Sequence, residues 1–161
     1  MWSFIEFLDG ITPPLTRYCA AVAGTADGED AAQEALIRTW QHRDRIPNEK
    51  AAAVFAYRTA YRLCVDALRR RKREQAALET CRDTTEPEQQ LSDRMKAALL
   101  TLSPADRAVV YSRAVEEAAY REIAIRFGKT EAWARKRYSL ALRKLAALLD
   151  EGGNENGKGT V

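Results

Sequence analysis

Histidine and cysteine are scarce in this chain of 161 residues, with one of the former and three of the latter. Cys19, Cys64 and Cys81 are far apart, odd in number and in no CxxC or Cys/His spacing, so neither a zinc site nor a disulfide framework is indicated. A reducing, cytoplasmic setting is expected. His42 stands in a polar segment beside Arg43, and no catalytic constellation is found anywhere, so no enzyme, metal or cofactor is expected. There is no stretch of ~20 apolar residues, and the opening MWSFIEFLDG is amphipathic and interrupted by acids, so neither membrane insertion nor export is expected. Strand signals are equally scarce. No segment alternates cleanly with β-branched residues, and Ala, Leu, Arg and Glu dominate, which predicts an all-α fold.

The net charge of +3 is too mild to point to a partner, but the charges are not evenly spread. Acidic residues gather at 27–34, 79–93 and 150–155, and basic ones at 58–73 and 126–144. The first basic block is VFAYRTAYRLCVDALRRRKR, residues 54–73. At helical spacing Val54, Tyr57, Tyr61, Cys64, Val65 and Leu68 share one arc, which should be buried. Arg58, Arg62, Arg69 and Arg73 share a neighbouring arc with Phe55. Guanidinium groups pair with phosphate in bidentate fashion and a ring offers a stacking surface, so this face suits a polyanion with exposed bases.

Punctuation sets the other helices. Residues 2–8 read as a short helix ending near Gly10, and Thr12-Pro13 reads as the cap and first position of a second one reaching Ala23. After a turn at 24–28, a helix runs to Gln41 with Ala32, Ala35, Leu36, Thr39 and Trp40 inside. Asp30, Gln33, Glu34, Ile37, Arg38 and Gln41 lie on its opposite face, where Ile37 is a lone apolar residue. The segment 42–50 is a loop, and residues 74–90 lose apolar periodicity and read as an acidic linker.

Beyond it, Leu91, Met95, Leu99 and Leu102 recur at helical spacing, and Ser103-Pro104 starts a helix to about Val115. A short helix over 119–127, Gly128 in the turn, Thr130 as cap and a final helix from Glu131 to about Leu149 make a helix-turn-helix. The final helix should bury Ala134, Tyr138, Ala141, Leu145 and Leu148. Its far face carries Ala132, Arg135, Lys136, Ser139 and Arg143, with small residues where the helix would approach base edges and cations in its first turns. Its free N-terminus after Thr130 can receive a phosphate. The tail from Gly152 onward should be disordered.

Several segments in order resemble the extracytoplasmic-function (ECF) type of bacterial RNA polymerase sigma factor. DGEDAAQEALIRTW at 27–40 is similar to its D-x-E-D-x-x-Q-E motif, and 55–73 to its following Y-R-x-A and R-R-R helix. LSPADR at 102–107 and YREIA at 120–124 through Leu145 are similar to its C-terminal helix-turn-helix. The resemblance implies two helical domains, 1–75 and 88–150, with a linker at 76–87 and a disordered tail at 151–161. It implies that Asp30, Gln33, Glu34, Ile37, Arg38 and Gln41 dock on the clamp helices of the largest subunit of core RNA polymerase. It further implies that Phe55, Arg58, Arg62, Arg69, Arg70 and Arg73 engage the opened downstream promoter element, and that Thr130, Ala132, Arg135, Lys136, Ser139 and Arg143 engage the upstream one. An inhibitory anti-sigma factor is the remaining implied partner. The chain departs from the family pattern at Phe55, where a Trp is usual, at Arg62 in place of Asn, at Ala118-Ala119 and at Leu140. The rival reading is a stand-alone helix-turn-helix regulator whose N-terminal bundle dimerises, and a second is a helical adaptor with no nucleic-acid role.

Overall fold

The computed structural model describes residues 2–77 and 93–155. Among these there are seven α-helices and no strand: α1 (Phe4–Ala23), α2 (Thr25–Gln41), α3 (Glu49–Ala77), α4 (Asp93–Thr101), α5 (Pro104–Ala114), α6 (Tyr120–Phe127) and α7 (Glu131–Glu155). Most of the expected linker lies outside the described residues.

The two short helices expected before residue 24 are one. Helix α1 runs unbroken through Pro13 and Pro14, which deprive the carbonyls of Asp9 and Gly10 of their usual partners. Nearby the Thr12 hydroxyl donates to the Leu8 carbonyl at 2.6 Å and the Thr16 hydroxyl to the Thr12 carbonyl at 2.7 Å. The apolar spacing decides the outcome: Phe7, Ile11, Leu15, Tyr18 and Val22 form one continuous buried seam, and burying it outweighs two lost hydrogen bonds. At its start the Ser3 hydroxyl accepts from the Glu6 amide.

The expected turn at 24–28 reduces to Gly24, whose φ of 91° suits glycine, and α2 starts at once. Gly28 lies inside α2 where it crosses α1. A Cβ there would stand 2.6 Å from the Ala20 nitrogen and from the Cys19 carbonyl carbon, so the crossing is too close for any other residue. Small residues continue the seam: Ala31, Ala32 and Ala35 on α2, and Ala52, Ala56 and Ala60 on α3, are all buried. Tyr57 and Cys64 are buried as expected, while Val54, Tyr61, Val65 and Leu68 are only half-buried. Asn48 caps α3 by accepting from the Ala51 amide at 2.9 Å.

In the second half the punctuation holds. The Ser103 hydroxyl accepts from the Asp106 amide at 3.2 Å, and Gly128 closes α6 in the left-handed region at φ 64°. Thr130 accepts from the Trp133 amide at 3.1 Å and caps α7. Helix α7 continues to Glu155, past the expected end near Leu149 and into the stretch expected to be a disordered tail. Gly152 and Gly153 lie inside the helix despite the cost of glycine there. Of its expected inner residues, Ala134, Ala141 and Leu145 are buried and Tyr138 is half-buried, but Leu148 is exposed while Leu149 packs inward.

The second half also leans on the first. Helix α5 packs on α1 and α6 on α3. Ala108 of α5 is fully buried in the core of the first three helices, with Tyr111 and Phe127 against the same cluster.

Candidate nucleic-acid interface

Three surfaces carry the expected functional residues. On α2, Asp30, Gln33, Glu34, Ile37, Arg38 and Gln41 are all exposed, so the opposite-face reading of that helix holds. Glu34 and Arg38 pair at 3.0 Å, a helical i,i+4 pair between exposed groups. Trp40, expected inside, is 38% exposed. Its ring meets Phe4 at 5.8 Å, and the Arg43 guanidinium lies 4.0 Å over it. The partial exposure of Trp40 extends the apolar part of this surface beyond Ile37. The signal was the aromatic-rich start of the chain, where Phe4 supplies the ring that Trp40 rests on and Trp2 packs against Phe4 in turn.

On α3, Phe55, Arg58 and Arg62 line a single groove of about 590 Å³ together with Lys50, Val54 and Thr59. The His42 ring stands 5.1 Å from Phe55, tilted by 39°. Lys50, in the stretch expected to be a loop, is instead in the first turn of α3, four residues before Val54 and eight before Arg58. Arg69 and Arg73 are exposed on the same side of α3, about two and three turns beyond Arg62. Arg70 diverges from them. It lines a different depression with Asp27, Asp30, Glu34 and Asp66, toward α2. Arg71 likewise turns to α2 and pairs with Asp27 at 3.0 Å.

On α7, Ala132, Arg135, Lys136, Ser139 and Arg143 line one open groove of about 480 Å³, with Leu140 among them. Arg135 is held by Glu131 at 2.7 Å, one turn earlier. Thr130 sits at the N-terminal end of this surface with its hydroxyl engaged in the cap. The helix is anchored from behind by a buried carboxylate. Asp106 is 1% exposed and stands 3.0 Å from Arg137 and 3.1 Å from Lys144, both on α7. That ion triad sets the orientation of the outward face. Among the described residues no group of three or more His, Cys, Asp or Glu could hold a metal ion, and no helix is long and apolar enough to cross a membrane.

A helical unit with an arginine-and-ring groove is followed by a helix-turn-helix with an open cationic face, so the chain belongs to the class of helical proteins with two separate surfaces suited to a polyanion. The comparisons agree. Residues 11–74 match Sigma-70 region 2, and residues 92–145 match Sigma-70, region 4. The ECF RNA polymerase sigma factor SigL of Mycobacterium tuberculosis, strains H37Rv and Erdman among others, is 31% identical over 148 residues, covering 85% of this chain and 83% of the relative. The fold is that of the sigma factor RpoE crystallised with the anti-sigma factor NepR from Bartonella quintana, at a TM-score of 0.73 and 21% identity over 91% of this chain and 96% of that one. The chain belongs to the ECF RNA polymerase sigma factors, regulatory proteins that bind core RNA polymerase and direct promoter recognition. A stand-alone regulator with a dimerising bundle is not favoured, since the two family regions stand in order in one chain.

Proposed function

We propose that the three surfaces divide the work of initiation among themselves. The exposed face of α2, from Asp30 through Gln33, Glu34, Ile37 and Arg38 to Gln41, docks on the clamp helices of the polymerase's largest subunit, with Trp40 widening its apolar part. The groove of α3 takes the separated strand of the downstream element. A flipped base stacks on Phe55 and His42, and Arg58, Arg62, Arg69 and Arg73 hold the backbone, at an unpairing cost of a few kcal/mol. Arg70 contributes from the α2 side as a longer-range charge. The outward face of α7 reads the upstream element as duplex: Arg135 and Lys136 reach base edges, Ser139 and Ala132 allow close approach, and Arg143 and the Thr130 end of the helix meet phosphate.

The units are residues 1–75 and 88–150, joined by 76–87, and the segment 151–161 plays no part in recognition. The protein acts in the cytoplasm, catalyses nothing itself, needs no cofactor, and has an anti-sigma factor as its inhibitory partner. The observation that carries this reading is the convergence of Phe55, Arg58, Arg62 and Lys50 on one groove, since a bundle that only dimerised would have no use for it.

Separate assays of two variants test the division. Arg135→Ala should lose about 10- to 100-fold in affinity for upstream duplex and leave binding to core polymerase unchanged. Ile37→Ala should weaken core binding and leave duplex binding unchanged. Equal losses in both assays from both variants would overturn it.

A further inference from the structure

Leu140 stands in the outward groove of α7 with Ala132, Arg135, Lys136, Ser139 and Arg143, and it is 39% exposed. It belongs to none of the apolar clusters that build the core among the described residues. A solitary exposed leucine needs no explanation by itself. This one differs in what surrounds it.

Helical period gives the groove two unlike edges. Plotted at ~100° per residue, Arg135 lies on one edge, Ala132, Lys136, Ser139 and Arg143 fill the middle, and Leu140 lies on the other edge. The Arg135 edge carries a fixed set of donors. Its Nη2 donates to Glu131 at 2.7 Å, and its guanidinium stands 5.4 Å from the centre of the Tyr120 ring of α6.

The Leu140 edge is the reverse. Its neighbours on that side are Arg137, three residues before, and Lys144, four after, and both charges meet the buried Asp106 of α5, at 3.0 and 3.1 Å. Trp133, the remaining neighbour, has its ring against Phe127 at 5.3 Å, with Arg137 lying 5.6 Å from it. The ion triad that anchors α7 from behind therefore also draws the cations of this edge inward. What the edge presents to a duplex is the isobutyl group of Leu140.

Base edges in a major groove carry hydrogen-bond donors and acceptors and one large apolar group, the 5-methyl of thymine. A leucine set against an amino or carbonyl group removes water from it and returns no hydrogen bond, whereas a methyl gains by the same loss of water. Leu140 follows Arg135 by five residues, which is about 7.5 Å along the helix axis, or about two base-pair steps of ~3.4 Å.

We propose that Leu140 is a specificity-determining residue of the upstream surface, packing on the 5-methyl group of a thymine about two or three base pairs from the base edge that Arg135 reads. The recognition helix is then a mixed reader, polar on one edge and apolar on the other. The inference rests on the duplex-reading role given to α7 above.

The test uses the full chain assembled with core polymerase. A pool of promoter-length duplexes randomised over the upstream element is selected for binding, and each thymine of the selected duplex is then replaced in turn by deoxyuridine, which lacks only the methyl. Affinity should fall about fourfold at one thymine, the loss expected for one buried methyl. Leu140→Ala should bind the thymine duplex as weakly as the parent binds the uracil one, and should not distinguish the two. Leu140→Arg should prefer guanine at that position. No thymine at which the exchange matters, or a loss that persists in Leu140→Ala, would overturn the inference. An equal loss for thymine and uracil duplexes in Leu140→Ala would overturn it too, by placing the side chain against sugar or backbone. If Arg135→Ala still weakens binding of the selected duplex in those cases, the reading role of α7 stands without Leu140; if it does not, both fall.

Discussion

The arginine faces of α3 and α7 are alike in composition and opposite in circumstance. Arg135, Lys136 and Arg143 look out over an open groove lined by their own helix. Arg58 is hydrogen-bonded to the end of another helix, and the groove it lines with Phe55 and Arg62 has Ile125 from that helix in its wall. The difference lies in what each helix has behind it. Helix α7 is fixed from its inner side by the buried Asp106, so its outward face needs no further support. Helix α3 is seated on alanine-lined neighbours that leave its arginine side uncovered, and α6 packs across that side. A charged helix face is therefore not a binding site by composition alone. What its donors already meet differs from face to face: Arg135 is paired within its own helix, and Arg58 with the end of another.

The comparison breaks most completely if α3 loses its seat. Gly28→Val places branched carbons where even a Cβ would stand 2.6 Å from backbone atoms of α1, which cannot rotate away. We expect a loss of about 3 kcal/mol in denaturant unfolding, at the upper end for overpacked helix crossings. Next in size, Asp106→Ala removes the carboxylate behind α7. Arg137 and Lys144 are 37% and 59% exposed and can turn to water, so the cost should be nearer 2 kcal/mol than that of a fully buried pair. Duplex binding through α7 should weaken with it, while strand binding by α3 remains, as read in parallel titrations.

The smallest change sharpens the comparison instead. Glu117, beside the Glu116 that accepts from Tyr57, is the one non-glycine residue with positive φ among those described, at 54°. Glu117→Gly relieves that conformation and should raise stability by about 0.5 kcal/mol, seen as a higher denaturation midpoint. The expected sign follows from its place in the α5–α6 turn, where the folded chain holds it left-handed.

Much of this was legible in the chain. The faces of α2 and α7 follow from helical period, and all six residues expected on each outer surface lie where they were placed, with Thr130 serving as cap. The start of the chain misled, because two prolines after a threonine read as a helix start while the seam from Phe7 to Val22 continues through them. Trp40 was placed inside by its register, yet its ring rests on Phe4 and stays partly exposed, which no property of α2 alone could reveal. Arg70 was grouped with its neighbours in the basic run, but one further residue of helix turns it about 100° toward the acids of α2.

The order of the helices, the caps at Ser103 and Thr130, the left-handed Gly128 and the two cationic faces are properties of local sequence, because propensity, capping and period act within a few residues. Which cation is free and which is engaged was decided only when the helices packed. Arg58 and the carbonyls it binds are 67 and 68 residues apart, and Tyr57 and Glu116 are 59 apart. Period fixes the direction a side chain points from its own helix, but the group that waits there comes from wherever the rest of the chain has folded.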